Sequence, residues 1–383
     1  MKRKILTFFL VIYGTFSLFC YEWGGLLTES FKANTTDFSI EKINFRQSNS
    51  LALWVNAPLN NSVNTVFTGQ ASFKYNYDFT SASSNFMSIF DFDLIKFSTA
   101  LQFSRNSCII NLGRFYFSDY TGKIVSQKSD GVSLSAYFPY NIISLYVGYT
   151  GWLNSINDVM LSSTRLPHYE KGMFYLPAYH YIPVSVSFKF PSVFLNQQLL
   201  FECNTFFDAG SENFNRAYLT AAIEGPVGSM FFYSLSTTFG AENFKKITNY
   251  SAFKLNMLIN DFVMLNFNVE YASGKQFFFE PFTAFTSNTS YNSTLSPEYS
   301  GLILPSFDVN FGLQGFYSGF SAKAVLCYPE SEIYFKGIDI SGNIMMNIYS
   351  DLQIGLSGFC FMDMYSKGLE NNYSVTLNCS FSF

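Results

Sequence analysis

The chain has 383 residues with a net charge of −4, and only 13% of them are charged against 20% aromatic and 48% hydrophobic. A soluble protein of this size would carry about 25% charged residues. The acidic balance gives no basic surface for nucleic acid, and beyond residue 20 no uninterrupted apolar run is long enough to cross a membrane as a helix.

The chain opens on Met1-Lys2-Arg3-Lys4, followed by an apolar run from Ile5 to Phe19. A basic start before a short apolar run reads as a secretory signal peptide over 1–20, cleaved after Cys20, with 21–383 as the mature unit. The rival reading makes Cys20 a lipid anchor, but Phe19 is bulky where a lipobox wants a small residue. The five mature cysteines, Cys108, Cys203, Cys327, Cys360 and Cys379, are odd in number and scattered. They form no disulfide framework and no metal-ligand spacing.

From residue 21 onward, apolar residues recur at every second position between turn residues. The alternation predicts strands at 21–30, 49–57, 64–79, 90–102, 107–117, 130–138, 142–151, 182–190 and 198–208. It continues at 215–225, 229–239, 249–259, 262–273, 302–316, 319–328, 335–349, 352–363 and 372–383. In 90–102 the alternation slips after Asp93, which suggests a bulge. Segments of about ten residues with period 2 are what a tilted membrane strand needs. Every second connection is short, including those near Pro58, Arg105, Pro139, Pro226, Asn260 and Tyr317. The others include the two longest, 152–181 and 274–301. That rhythm predicts an all-β, up-and-down antiparallel transmembrane barrel of about 18 strands, with 16 as the fallback. Both long loops then lie on the cell surface.

The last strand carries the alternation to the final residue: Tyr373, Val375, Leu377, Cys379, Phe381 and Phe383 are interleaved with Ser374, Thr376, Asn378, Ser380 and Ser382. It resembles the carboxy-terminal strand of bacterial outer-membrane β-barrels of the porin type. The resemblance implies the outer membrane as location, outer-membrane lipid as solvent, and the barrel-assembly machinery as a partner that reads Phe381 and Phe383. Gly113-Arg114, Asp119, Gly122 and Asp130-Gly131-Val132 are similar to a strand–loop–strand of porins related to the alginate-export family, over about a tenth of the chain. The sequence departs from that family in lacking a lumen rich in arginine and lysine, which argues against an anionic polysaccharide. By strict alternation Arg114 falls beside Leu112 on the lipid side, unless a bulge at Gly113 turns it inward.

With Leu265, Phe267, Val309, Phe311, Ile344 and Leu377 facing lipid, the interleaved residues face the lumen. Lys74, Asp78, Lys189, Glu202, Asp208, Glu270, Asp308, Asp339 and Asp363 then form the pore wall, with an acidic excess that favours cations. A barrel of 16–18 strands leaves an aqueous channel unless something fills it. The segment 152–181 is too aromatic for a freely solvated loop, so His168, Tyr169, Glu170, Lys171 and His180 are the candidates for a constriction folded into the mouth. The start of 274–301 reads as a strand continuing above the membrane.

No catalytic constellation, cofactor motif or metal site is legible, and the two histidines share one loop. The reading is a channel for passive diffusion of small hydrophilic solutes, a non-enzyme without cofactor, which could assemble as a homo-oligomer. The alternatives are a surface adhesin or structural barrel with a closed lumen, and a hydrophobic-substrate transporter of the fatty-acid type.

Overall fold

The structure is a computed structural model of the whole chain. It describes residues 21–36, 43–59, 64–80, 83–156, 172–210, 215–243, 245–276, 278–286, 300–330, 332–366 and 371–383. The proposed leader 1–20 and the loop residues His168, Tyr169, Glu170 and Lys171 lie outside the described residues.

Eighteen strands form one sheet closed on itself, each antiparallel to its neighbours. They are β1 (Glu22–Thr35), β2 (Asn44–Pro58), β3 (Thr65–Phe79), β4 (Ser84–Phe103), β5 (Asn106–Ser118) and β6 (Ser126–Tyr137). Next come β7 (Ile142–Tyr149), β8 (Tyr181–Phe190), β9 (Gln198–Asp208), β10 (Arg216–Val227), β11 (Phe231–Glu242) and β12 (Lys246–Asn260). The last six are β13 (Val263–Ala272), β14 (Leu302–Leu313), β15 (Phe316–Cys327), β16 (Tyr334–Asn347), β17 (Leu352–Asp363) and β18 (Asn372–Ser382). Each strand pairs with the next in sequence, and β1 pairs with β18 from Leu26↔Ser382 to Thr35↔Tyr373. The number of strands is the one that the alternation predicts.

Boundaries shift where the pattern was weak. β1, β2 and β4 run longer than expected, toward the rim that carries the long loops. The slip after Asp93 is a bulge, since Gln70 pairs with Leu94 and Ala71 with Phe92. The expected turn at Tyr317-Ser318 is instead at Gln314-Gly315, where Gly315 takes φ +75° and Leu313 pairs with Phe316. Tyr317 and Ser318 are strand residues, because a tight turn needs a residue that tolerates positive φ and Gly315 supplies it.

The pleat sorts side chains as the period requires. Phe267, Phe307, Phe311, Leu356 and Leu377 are exposed on the outside, while Asn204, Thr220 and Thr238 on the inward pleat are fully buried. A band of exposed aromatic and aliphatic side chains around a sheet with no free edge is stable in hydrocarbon, where every backbone group must be satisfied inside the fold.

The outward face of the wall is therefore intolerant of charge. Phe267→Arg should destabilise the barrel by about 2–4 kcal/mol, whereas Asn266→Arg, on the inward pleat, should leave stability within error. Urea unfolding of the refolded barrel in lipid measures both. Equal losses would mean that the faces are reversed. The closing seam gives a second test. Gly25 and Phe383 exchange backbone hydrogen bonds at 2.9 and 3.0 Å. A Cβ on Gly25 would lie 2.2 Å from the Phe383 ring. Deleting Phe383 removes both bonds and the ring, and the fraction migrating as the compact, heat-modifiable form on gels should fall.

Candidate functional site: a hairpin folded across the lumen

The wall is not uniform. β4 pairs with β5 only up to Ile95↔Arg114, and β6 pairs with β7 only up to Asp130↔Tyr149. Above those points β5 and β6 continue paired with each other, from Phe115↔Ser129 to Ser118↔Ser126, with no other strand paired to either among the described residues. The hairpin leaves the wall. Its hinge is Gly113, at φ +114°, where a Cβ would lie 2.0 Å from the Ile95 carbonyl oxygen. Only glycine fits such a backbone beside another strand.

The hairpin's tip, residues 119–125, reaches the far wall. Tyr120 donates its backbone N–H to Glu202 on β9 at 2.8 Å and its hydroxyl to Glu224 on β10 at 2.5 Å. Lys123 Nζ lies 3.1 Å from Glu270 on β13. The Ile124 carbonyl accepts from Phe285 and Thr286 N–H groups in the long loop after β13. The tip is held in shape by Asp119. One carboxylate oxygen accepts from the Ile124 and Val125 N–H groups at 3.0 and 2.9 Å. The other accepts from the Thr121 N–H at 2.8 Å and from the Thr121 hydroxyl. Burial pushes the Asp119 carboxyl above its usual range, against the pull of these four donors. Burial also pushes the Tyr120 hydroxyl up to about 12. Burial lowers Lys123, which Glu270 opposes.

An apolar core forms inside the barrel around this tip. Ile124 and Val125 pack with Phe282, Ala284 and Phe285 of the loop after β13, and with inward residues Tyr181, Phe206, Tyr218, Tyr250, Leu302 and Leu304. Phe285 stacks on Phe206 at 3.9 Å, and Tyr181 meets its edge at 5.0 Å. Arg216 donates to the Ala284 carbonyl at 2.7 Å and Tyr218 to that of Thr283 at 2.7 Å. Each aromatic ring taken out of water contributes about 1.5–3 kcal/mol, so the assembly is a fixed constriction. The start of 274–301 is thus not a strand above the membrane. Phe282 and Phe285 fill the lumen, while Phe278 is exposed.

The gap left in the wall is mended by the loop after β7, at the ends of the segment 152–181. Phe90 of β4 donates its N–H to the Phe174 carbonyl at 3.4 Å. Asn154 donates to the carbonyls of Phe90 and Phe174 at 3.2 and 3.0 Å. Phe174 stands in for a missing strand neighbour, while Leu153, Ala178 and Tyr181 of the same segment join the apolar core in the lumen, with Tyr179 packed against it. His180 is exposed at the rim against the Tyr149 hydroxyl. The outward pleat of the departed hairpin now faces the inward pleat of β4. Arg114 therefore needs no bulge to hide it. It is buried, bound to Asp130 through two 2.8 Å bonds and to the Trp152 carbonyl at 2.5 Å, with Asp91 at 3.6 Å. Lys128 bridges Asp91 at 2.8 Å and Asp93 at 2.6 Å.

The nine predicted wall residues all fall on the inward pleat, but the structure divides them. Glu202 and Glu270 hold the hairpin tip. Asp208 caps the Gly210 N–H at 2.6 Å, and Asp308 accepts from Asn268 at 2.8 Å. Asp363 is buried beside Lys336 at 4.0 Å, and Asp339 is buried opposite Lys323. Lys189 is inward on β8. Lys74 and Asp78 sit in a different sector, the inward face of β1–β4, with Lys32, Arg46 and Lys96, which the sequence reading missed. There Arg46 forms a two-bonded ion pair with Asp78, one bond at 3.2 Å. Lys32 is exposed, as are Asn343 of β16 and Asn378 of β18. The lumen thus has a filled side along β8–β15, while β16–β18 and β1–β4 keep part of their inward pleat exposed, at Lys32, Asn343 and Asn378.

These features define a closed transmembrane barrel with a built-in constriction. Neither a family model nor a curated protein matches the sequence. Solved structures share the fold. OpdK of Pseudomonas aeruginosa, crystallised with vanillate, is similar with a TM-score of 0.62 at 8% identity, over 95% of this chain and 98% of that chain. OccAB4 of Acinetobacter baumannii gives 0.61 at 8% identity with the same coverage. OccK5 of Pseudomonas aeruginosa gives 0.59 at 8% identity, again over 95% and 98%. At that identity the likeness is one of fold.

The Asp119 cradle makes the constriction removable. Asp119→Ala leaves four donors without their acceptor and should free the tip. Bilayer recordings should show a larger and noisier single-channel conductance, with heat-modifiable migration unchanged. Unaltered conductance would mean that the tip does not limit the pore.

Proposed function

We propose that this chain is an outer-membrane channel through which small hydrophilic solutes diffuse passively. In this reading it is exported by the leader at 1–20 and inserted by the assembly machinery that reads Phe381 and Phe383. The observation that carries the reading is the contrast between the two sides of the lumen. Buried aromatic residues fill one side, while inward residues of the other side, among them Lys32 on β1, Asn343 on β16 and Asn378 on β18, are exposed beside the hairpin. A closed-lumen adhesin has no use for that open side. The fold shared with porins crystallised from two bacteria supports the same conclusion.

The charges reverse the preference expected from composition. The acidic residues of the filled side are engaged in holding the hairpin and the loops. Along β1–β4, four basic side chains, Lys32, Arg46, Lys74 and Lys96, stand against Glu22 and Asp78, while Asp91 and Asp93 are bound by Lys128. Fixed ammonium and guanidinium groups beside water concentrate anions within about 10 Å at 0.1 M salt. The channel therefore admits small anionic and neutral polar solutes more readily than cations.

Planar-bilayer recordings of the refolded protein test this. They should show conductance, with a reversal potential in a salt gradient that indicates mild anion preference and fades as salt rises. Lys74→Gln with Lys96→Gln should move that potential toward the cation side. Absence of conductance would overturn the channel, and firm cation selectivity would overturn the assignment of the open side.

A further inference from the structure

On β1 the outward pleat carries Trp23, Gly25, Leu27, Glu29, Phe31 and Ala33. Glu29 is exposed at the middle of this series, with Cys379 of β18 and Asn49 of β2 as its Cα partners. Gln47, also outward on β2, donates its amide to Glu29 at 3.0 Å. Among the described residues, Arg114, Lys128 and Asp130 also occupy outward positions of the pleat. They belong to the hairpin that has left the wall, and they pair with one another or with β4. Glu29 is the ionisable residue that the intact wall presents outward between two apolar ones.

That position is anomalous for a surface bathed only in lipid. A carboxylate accepts at about four lone-pair sites, and hydrocarbon offers no donor. Ionisable side chains at membrane depth generally face protein or water. The patch holds acceptors in Glu29 and amide donors in Gln47 and Asn49, so it is complementary to itself. Beside it, on the same outer face, a groove of about 560 Å³ begins at Ala33. It runs past Val375, Gly358, Gly342 and Ile340 to Phe320. Small residues on adjacent strands leave room there for side chains from another body.

We propose that this outer face, from β15 through β1 to β2, is where a second copy of the chain packs, with Glu29 of each copy accepting from the Gln47 and Asn49 amides of the other. A lipid chain could fill the groove, but it supplies nothing to Glu29. A second copy supplies both apolar side chains and amide donors. The inference rests on the outer face lying in a membrane and not on the lumen conducting.

Cys379, a free thiol in the same row as Glu29, allows a direct test. The protein is made with Cys20, Cys108, Cys203, Cys327 and Cys360 replaced by Ser, and membranes are treated with a short bis-maleimide before solubilisation. A crosslinked dimer is expected. Light scattering of the wild type in mild detergent should give a multiple of the single-chain mass. Glu29→Leu with Gln47→Leu should raise the dissociation constant at least tenfold, while the heat-modifiable migration of a folded barrel is kept. If the double variant fails to insert, Glu29→Gln is used, and its crosslink yield should fall. Particles of one chain with no crosslink in membranes would overturn the proposal. So would a double variant that keeps its mass. A stable monomer whose unfolding midpoint rises with Glu29→Leu would identify lipid as the occupant.

Discussion

Backbone pairing around a closed ring is the constraint on which the rest depends. In hydrocarbon an unpaired N–H or C=O costs several kcal/mol, so no strand of the wall can lack a neighbour at membrane depth. The seam between β1 and β18 meets this demand from Leu26 and Ser382 up to Thr35 and Tyr373, and Gly25 extends it by bonding to Phe383. The alternating pattern, the short turns at one rim and the aromatic residues outside all follow from that requirement.

The same constraint explains the constriction. A hairpin can leave the wall only if something else takes up the hydrogen bonds and the space it vacates. The loop after β7 does this where β4 and β7 lose β5 and β6 as partners, with Asn154 and Phe174 supplying bonds to Phe90. Arg114 and Lys128 then bind Asp91, Asp93 and Asp130 in the fold between hairpin and wall. Buried charges are tolerated there because each is bound to an opposite charge with good geometry. Pore restriction and wall repair are two parts of one rearrangement, hinged at Gly113.

The division of the lumen follows from where the hairpin lands. Its tip crosses to β9, β10 and β13, so the acidic residues on those strands become anchors. Strands the tip does not reach keep some inward residues exposed, among them Lys32 and Asn378. A census of wall charges by sequence alone therefore misjudges the field that a solute meets, because it counts anchored and water-facing carboxylates alike.

Period 2, turn residues and the rhythm of short and long connections were enough to determine an 18-stranded antiparallel barrel and its two faces, because each is a local property of the chain. The inward pleat of Glu202, Glu270, Asp308 and Asp339 was legible for the same reason. The sequence even marked the hinge and tip, in Gly113, Asp119 and Gly122, without revealing their use. Only the tertiary structure decided which loop enters the lumen, because that depends on which distant strands offer partners to Tyr120, Lys123 and Ile124. The aromatic residues of the loops after β7 and β13 look alike in sequence. Phe174 mends the wall while Phe282 and Phe285 fill the lumen, and the difference lies in long-range contacts that no local pattern encodes.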